Sequence, residues 1–123
     1  MIDLLKVIWK MEIQNIPVES ASILNRFEER IIKKAIKEKL IKSSGNTLQL
    51  TEQGREKIKI VACGGVFDIL HPGHGFFLQN AKKYGDILVV IVALDSTVKK
   101  RKRIPIINQE QRCELVSHLK PVD

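Results

Sequence analysis

Cysteine is scarce in this chain, with two in 123 residues. Cys63 and Cys113 lack any C-x-x-C spacing and suit a reducing compartment. Each reads as a small buried residue rather than a ligand. No run of 18 apolar residues exists, which excludes a membrane-spanning helix as the reading of any segment. The start shows no basic n-region followed by an apolar stretch and a small-residue cleavage site. The chain is therefore expected to be cytoplasmic, with no membrane partner. Carboxylates are nowhere clustered as a dedicated metal site requires, so no residue is assigned as a metal ligand.

At this length one domain or two small ones are expected. A half of about 60 residues buries only ~60% of its unfolded surface, so each half would be marginal alone. The net charge is +7 and both parts contribute. Residues 1–57 hold 11 Lys and Arg against 8 acids, and residues 58–123 hold 10 against 6. A basic balance suits a polyanion, and a nucleoside triphosphate and a nucleic acid satisfy it equally.

The informative stretch runs from Lys57 to Leu78, K-I-K-I-V-A-C-G-G-V-F-D-I-L-H-P-G-H-G-F-F-L. An apolar run at 58–63 predicts a buried strand. Gly64 and Gly65 predict a tight turn after it, without the Cβ atoms that would keep a ligand from the backbone. His71 and His74 then precede a helix predicted from about Gly73 to Tyr84. A helix N-terminus offers unpaired N–H groups and a positive dipole end to an anion, and the histidines add donors.

Ahead of this stretch, apolar spacing predicts a helix over 2–14 with Trp9 in the core. Pro17 ends it, Ser20 can cap a short helix at 21–24, and a third helix is expected over 27–40. L-I-K-S-S-G-N-T-L-Q-L-T reads as a hairpin around Ser43-Ser44-Gly45-Asn46, and Thr51-Glu52 opens a last helix. Three helices, a hairpin and L-T-x-x-G resemble a winged helix-turn-helix. Glu28 and Glu29 at the start of its third helix would repel phosphates, although Lys33, Lys34, Lys37 and Lys39 follow. DNA is thus an available partner and not the favoured one; dimerisation or docking is the alternative use.

Beyond the histidines, the helix buries Phe76, Phe77, Leu78, Ala81 and Tyr84 in varying degree, with Gly85 as its C′ residue. Ile87 to Leu94 is an uninterrupted apolar run, as in a parallel strand covered on both faces. Asp95-Ser96-Thr97 ends it, and Lys99 to Arg103 form a basic loop beyond the strand's C-terminus, where parallel-sheet ligands sit. Asn108 caps a further helix to Leu119, with Cys113, Leu115, Val116 and Leu119 inward.

G-V-F-D-I-L-H-P-G-H resembles the signature of the cytidylyltransferase-like nucleotidyltransferases, whose mark is H-x-G-H after the first strand. The continuation R-x-P-I-I-x-x-E-Q-R and the L-K-P-V-D are most similar to archaeal FAD synthases. The resemblance covers Ile58 to Asp123. It implies an α/β chain: a Rossmann-like, HUP-type nucleotidyltransferase unit at 58–123, preceded by the winged-helix-like domain at 1–57. It also implies catalytic roles for His71, His74 and Lys102, and a nucleotide site at Gly64, Gly65, Val66, Phe67, Asp68, His71, His74, Asp95 and Arg112. Lys102 and Arg112 would grip phosphates. The partners implied are ATP or CTP with Mg²⁺, a small phosphate ester such as FMN, and a second copy in a homodimer.

The chain departs from that pattern in three places. Val66 stands where Thr is frequent, and K-G-R-P becomes Lys102-Arg103-Ile104-Pro105. Nothing matches the family's I-S-S-T-x-x-R-like closing loop, so the Rossmann-like unit reads as truncated at its C-terminus and the 123 residues as inactive by themselves. The expected activity is transfer of AMP or CMP to a phosphate ester with release of pyrophosphate, FMN to FAD being favoured. Glycerol-phosphate cytidylyltransferase and pantetheine-phosphate adenylyltransferase are rivals. A nucleotide-sensing DNA-binding regulator and an inactive interaction module are the readings from other classes.

Overall fold

A computed structural model describes all residues, 1–123. Backbone contacts divide them into two compact units, Met1–Ile58 and Lys59–Asp123. Ile58 closes the first unit, buried, instead of opening a strand in the second.

The first unit holds α1 (Ile2–Ile13), α2 (Ser20–Leu24), α3 (Glu29–Lys37), β1 (Ile41–Ser44), β2 (Thr47–Leu50) and α4 (Glu52–Glu56). α1 buries Leu4, Leu5 and Ile8, while Trp9 is only half-buried, one position off the stripe that faces inward. Helices α1 and α3 end with Asn15 and Lys39 in the left-handed region, at φ 55° and 59°. In each, the next residue's N–H reaches back five residues, to Met11 O and Ala35 O, as in a Schellman stop. β1 and β2 pair antiparallel around Gly45-Asn46, Gly45 supplying the positive φ that a two-residue hairpin needs. Glu19 adds a one-residue bridge to Thr47. Thr51 caps α4 by accepting from Gly54 N–H at 3.0 Å. A Cβ at Gly54 would sit 1.9 Å from Leu40 O, which explains the glycine of L-T-x-x-G. Ser20 is the first residue of α2 and not its cap; Glu19 takes that place.

The second unit holds β3 (Ile60–Gly65), α5 (Pro72–Lys82), β4 (Ile87–Val92), α6 (Asp95–Lys100) and α7 (Gln109–Ser117). β3 and β4 are parallel, from Ile60↔Ile87 to Gly65↔Val92. Strand, helix and parallel strand make the unit α/β, with the Rossmann-like βαβ order that the sequence predicts. Asp123 joins the start of β4, accepting from Leu88 N–H and donating its own N–H to Leu88 O.

Several details differ from expectation. Gly64 and Gly65 lie inside β3, paired with Ile91 and Val92, and do not form a turn after it. β4 stops at Val92, and Asp95 begins α6, so the basic run starts on a helix. Toward the ends of β3 and β4 the sheet is covered on one face. Leu78 of α5, Leu88, Val116 of α7 and Phe67 form the core there. On the other face Ala62 and Gly64 are exposed and Ile91 is 61% exposed. α5 buries Leu78 alone; Phe76 is 69% exposed and Tyr84 70%, because the helix touches a two-stranded sheet along one narrow stripe. α5 ends at Lys82, so Gly85 is not its C′ residue. Gly85 is needed for close approach, since a Cβ would lie 2.7 Å from Lys59 O. On α7 the inward residues are Arg112 and Val116, whereas Cys113 and Leu115 are exposed.

Candidate active site

The ends of β3 and β4 lie at one edge of the sheet, and the loops that leave them carry the site. Phe67, two residues past β3, has φ 54°, an uncommon conformation for a bulky side chain. It is held there by burial: the ring packs into the core with Leu78 and Leu88 and folds back on Gly65, where a Cβ would meet it at 2.8 Å. Phe67 therefore turns the chain sharply out of the strand, the strained step that functional loops tolerate when the core over-determines it.

His71 is the N-cap of α5 and His74 its third residue. The His71 Nδ1 accepts from Gly73 N–H at 3.0 Å, and the His71 N–H donates to His74 Nδ1 at 3.1 Å. The ring centroids are 4.0 Å apart, and Phe67 lies 5.5 Å from His74. A Cβ at Gly73 would sit 2.7 Å from His71 Cε1, so the glycine of H-P-G-H makes room for the folded-back imidazole. Desolvation, then the charge of His71, holds the His74 pKa below its ordinary value. Both histidines line a cavity of about 420 Å³ with Phe67, Asp68, Arg103 and Ile106.

Asp68 and Arg112 knit the edge together. The Asp68 carboxylate accepts from Ile106 N–H at 3.0 Å and Ile107 N–H at 2.9 Å. Those two amides, aided by the Arg112 and Arg103 charges, hold its pKa below the usual carboxylate value. Arg112 is fully buried. It donates to Val66 O and Ala93 O at 2.8 Å, to Ile107 O at 2.9 Å and to Asp95 Oδ1 at 2.7 Å. The Arg112 bond is the main cause of a lowered Asp95 pKa.

The structure places three of the expected site residues as follows. The Arg112 guanidinium is enclosed and faces three carbonyls and a carboxylate. Asp95 is its counter-ion, with its own N–H donating to Gln109 Oε1. Lys102, at φ 57° and exposed, lines neither cavity at this edge. Its neighbours do: Arg103 reaches the histidine cavity, and Arg101 reaches a second one of about 280 Å³. Gly64, Gly65 and Val66 line that second cavity with Ile91, Ala93 and Thr97, and Val66 borders both. The basic run pointed to this edge, but the side on which each cation falls depends on the turn at Lys102.

The sequence profile described as Cytidylyltransferase-like matches residues 62–123, half of the chain. The chain belongs to the cytidylyltransferase-like family. An FAD synthase of Methanothermobacter marburgensis is 60% identical over 72 residues, 56% of this chain and 45% of that protein. An FAD synthase of Methanothermus fervidus is 63% identical over 62 residues, 48% of this chain and 43% of that one. A crystal structure of a lipopolysaccharide core biosynthesis protein from Thermoplasma volcanium matches with a TM-score of 0.53 and 50% identity, over 54% of each chain. The chain spans about half the length of the curated relatives it matches. Within this cytidylyltransferase-like segment lie both histidines, both cavities and the Asp68 and Arg112 bonds; the first unit lies outside it. No group of three or more His, Cys, Asp or Glu side chains could hold a metal ion, and no helix is long and apolar enough to cross a membrane. Burial raises the pKa of Cys63 above the ordinary thiol value.

Proposed function

We propose that this protein transfers AMP or CMP from a nucleoside triphosphate to a small phosphate ester, with FMN to FAD as the favoured reaction. The observation that supports it most is the paired imidazoles at the start of α5, backed by the names of the archaeal relatives. An oxygen of the acceptor phosphate forms a bond to the α-phosphorus while the bond from that phosphorus to the bridging oxygen breaks, and pyrophosphate leaves. The acceptor oxygen is already ionised, so the protein need only position the reactants and stabilise charge on the α-phosphate oxygens. His71 and His74 donate to those oxygens, the α5 N-terminus adds its dipole, and Arg103 neutralises charge in the same cavity. A divalent cation, Mg²⁺ in this reading, would supply charge neutralisation to the triphosphate, and no group of three or more His, Cys, Asp or Glu side chains is placed to hold it. A homodimer belongs to the proposal, supported by the exposed Phe76, Phe77 and Tyr84.

The test is pyrophosphate release, by a form of the protein that also carries the family's closing loop, with ATP or CTP and with FMN, glycerol phosphate or phosphopantetheine as acceptor. Turnover with ATP and FMN is expected, and His74→Ala should lower kcat by roughly 10²–10³, the scale of one preorganised donor. Nucleotide binding without turnover on any acceptor would overturn the enzyme reading in favour of a nucleotide sensor. Turnover with CTP and glycerol phosphate alone would move the acceptor.

The order of the first unit, with its bridge at Glu19 and its hairpin, favours a winged-helix-like domain, and a DNA-binding regulator is the second reading. Its third helix weakens that reading. Arg30 pairs with Glu28, Lys33 with Glu29 and Lys34 with Glu38, so three of its four cations already face carboxylates.

A further inference from the structure

The geometry points to H-P-G-H as a capping box built from imidazoles, which locks His71 and His74 as neutral rings with the proton on Nε2. A conventional capping box uses a hydroxyl at the N-cap and a carboxylate or amide three residues on, each accepting from the other's backbone. Here the His71 Nδ1 accepts from Gly73 N–H, one residue short of the usual partner, and the His74 Nδ1 accepts from His71 N–H. A backbone N–H can only donate, so each Nδ1 that receives one must be a bare lone pair. The ring's proton then resides on Nε2, and a second proton can enter at Nδ1 only by breaking the cap. Both rings line the same cavity.

The consequence for chemistry is specific. The pair presents two N–H donors and no free base, so it stabilises anionic oxygens and neither accepts nor releases a proton in turnover. That suits attack by an ionised phosphate, which needs no deprotonation; this part rests on the proposed nucleotidyl transfer. The other charged groups around the rings do not change the outcome. Asp68 is engaged by Ile106 and Ile107 N–H, and Arg103 is a cation that opposes protonation of either ring. Gly73 belongs to the device, since any side chain there would push the His71 ring off its acceptor position.

The test uses the 123-residue chain with ¹⁵N-labelled histidine. Long-range ¹H–¹⁵N correlation near pH 8 should show a protonated Nε2 and a bare Nδ1 on His71 and His74, assigned by single His71→Asn and His74→Gln variants. The exposed His118 serves as the internal comparison and should show a mixture of tautomers. Adding inorganic pyrophosphate should move the two Nε2–H signals and leave each Nδ1 bare. An Nδ1–H form, or a mixture like that of His118, overturns the inference.

Stability separates cap from donor. Asn is a strong N-cap and Gln the usual third residue of a capping box, so His71→Asn with His74→Gln should melt within about 2 °C of the parent. His71→Ala should melt about 4–8 °C lower, the scale of a lost cap in a unit of this size. Equal melting of the Asn/Gln and Ala variants overturns the cap. Locked tautomers without any response to pyrophosphate uphold the lock and count against nucleotidyl transfer instead.

Discussion

The two units are held by different forces. In Met1–Ile58 the core is continuous and apolar, with Leu4, Leu5, Ile8, Ile23 and Ile41 almost wholly enclosed. In Lys59–Asp123 fewer apolar side chains are buried, large ones such as Phe76 and Ile104 are exposed, and the largest fully buried side chain is Arg112. The first unit excludes water from hydrocarbon. The second fixes three loops by hydrogen bonds that one guanidinium donates and one carboxylate accepts. Apolar burial depends weakly on pH, whereas carboxylate and imidazole bonds depend on it directly. The difference shows how a small α/β unit can hold exact loop positions at the edge that carries the candidate site, at the expense of a sensitivity that the packing unit lacks.

The strongest way to break the comparison is Arg112→Ala. Three carbonyls and the Asp95 carboxylate lose their donor, and at ~1–3 kcal/mol for each orphaned buried group the second unit should lose at least ~3 kcal/mol. Hydrogen exchange resolved by residue should show that loss in 59–123 while 1–58 keeps its protection. An equal loss in both units would show them to be one cooperative body.

Leu5→Ala is the counterpart. It deletes a fully buried side chain from the first unit and should cost about 2–5 kcal/mol there. Trp9, the single tryptophan, reports that unit by fluorescence in a urea titration. A Trp9 midpoint that does not move would mean the pocket collapses without penalty.

Acid should separate the units without mutation. The folded His74 prefers its neutral form, so its contribution is complete above the ordinary value of 6.5 and is lost as pH falls through its lowered pKa. Asp68 and Asp95 are also lowered, so their contributions are present above about 3.8 and vanish below it. Amide protection at His71, whose N–H the His74 ring accepts, and at Ile106 and Ile107 should fall first on acidification, before that of Leu5 or Leu48. Uniform loss across the chain would remove the electrostatic distinction.

The smallest effect concerns the first unit as a ligand-binding surface. With three of its four α3 cations paired, gel shifts on mixed duplex should show weak binding or none, with little slope against salt. A slope on the order of several phosphates would make the first unit a DNA reader.

Much of this chain was legible because its signals are local. Thr51 and Asn108 cap the helices that follow them, Gly45 supplies the hairpin's positive φ, and the apolar run at 87–92 is a parallel strand. The caps and the turn act within about four residues, as do the bonds from His71 N–H to His74 and from Gly73 N–H to His71. The burial of Arg112 is of another kind. Its partners lie at 66, 93, 95 and 107, brought together only when two parallel strands end at one edge. An arginine in an E-Q-R helix reads as a phosphate ligand until those carbonyls are in place around it. The same holds for Phe67, whose left-handed turn is stabilised by the core that its ring joins, and for Gly65, kept small by that ring. Sequence determined the elements, their caps and the chemistry of H-P-G-H, since hydrogen bonds to the nearest backbone are set by residue type and spacing. Tertiary structure decided which cations face the cavities and which are spent on holding loops, because burial and the direction of a side chain depend on residues far away in the chain.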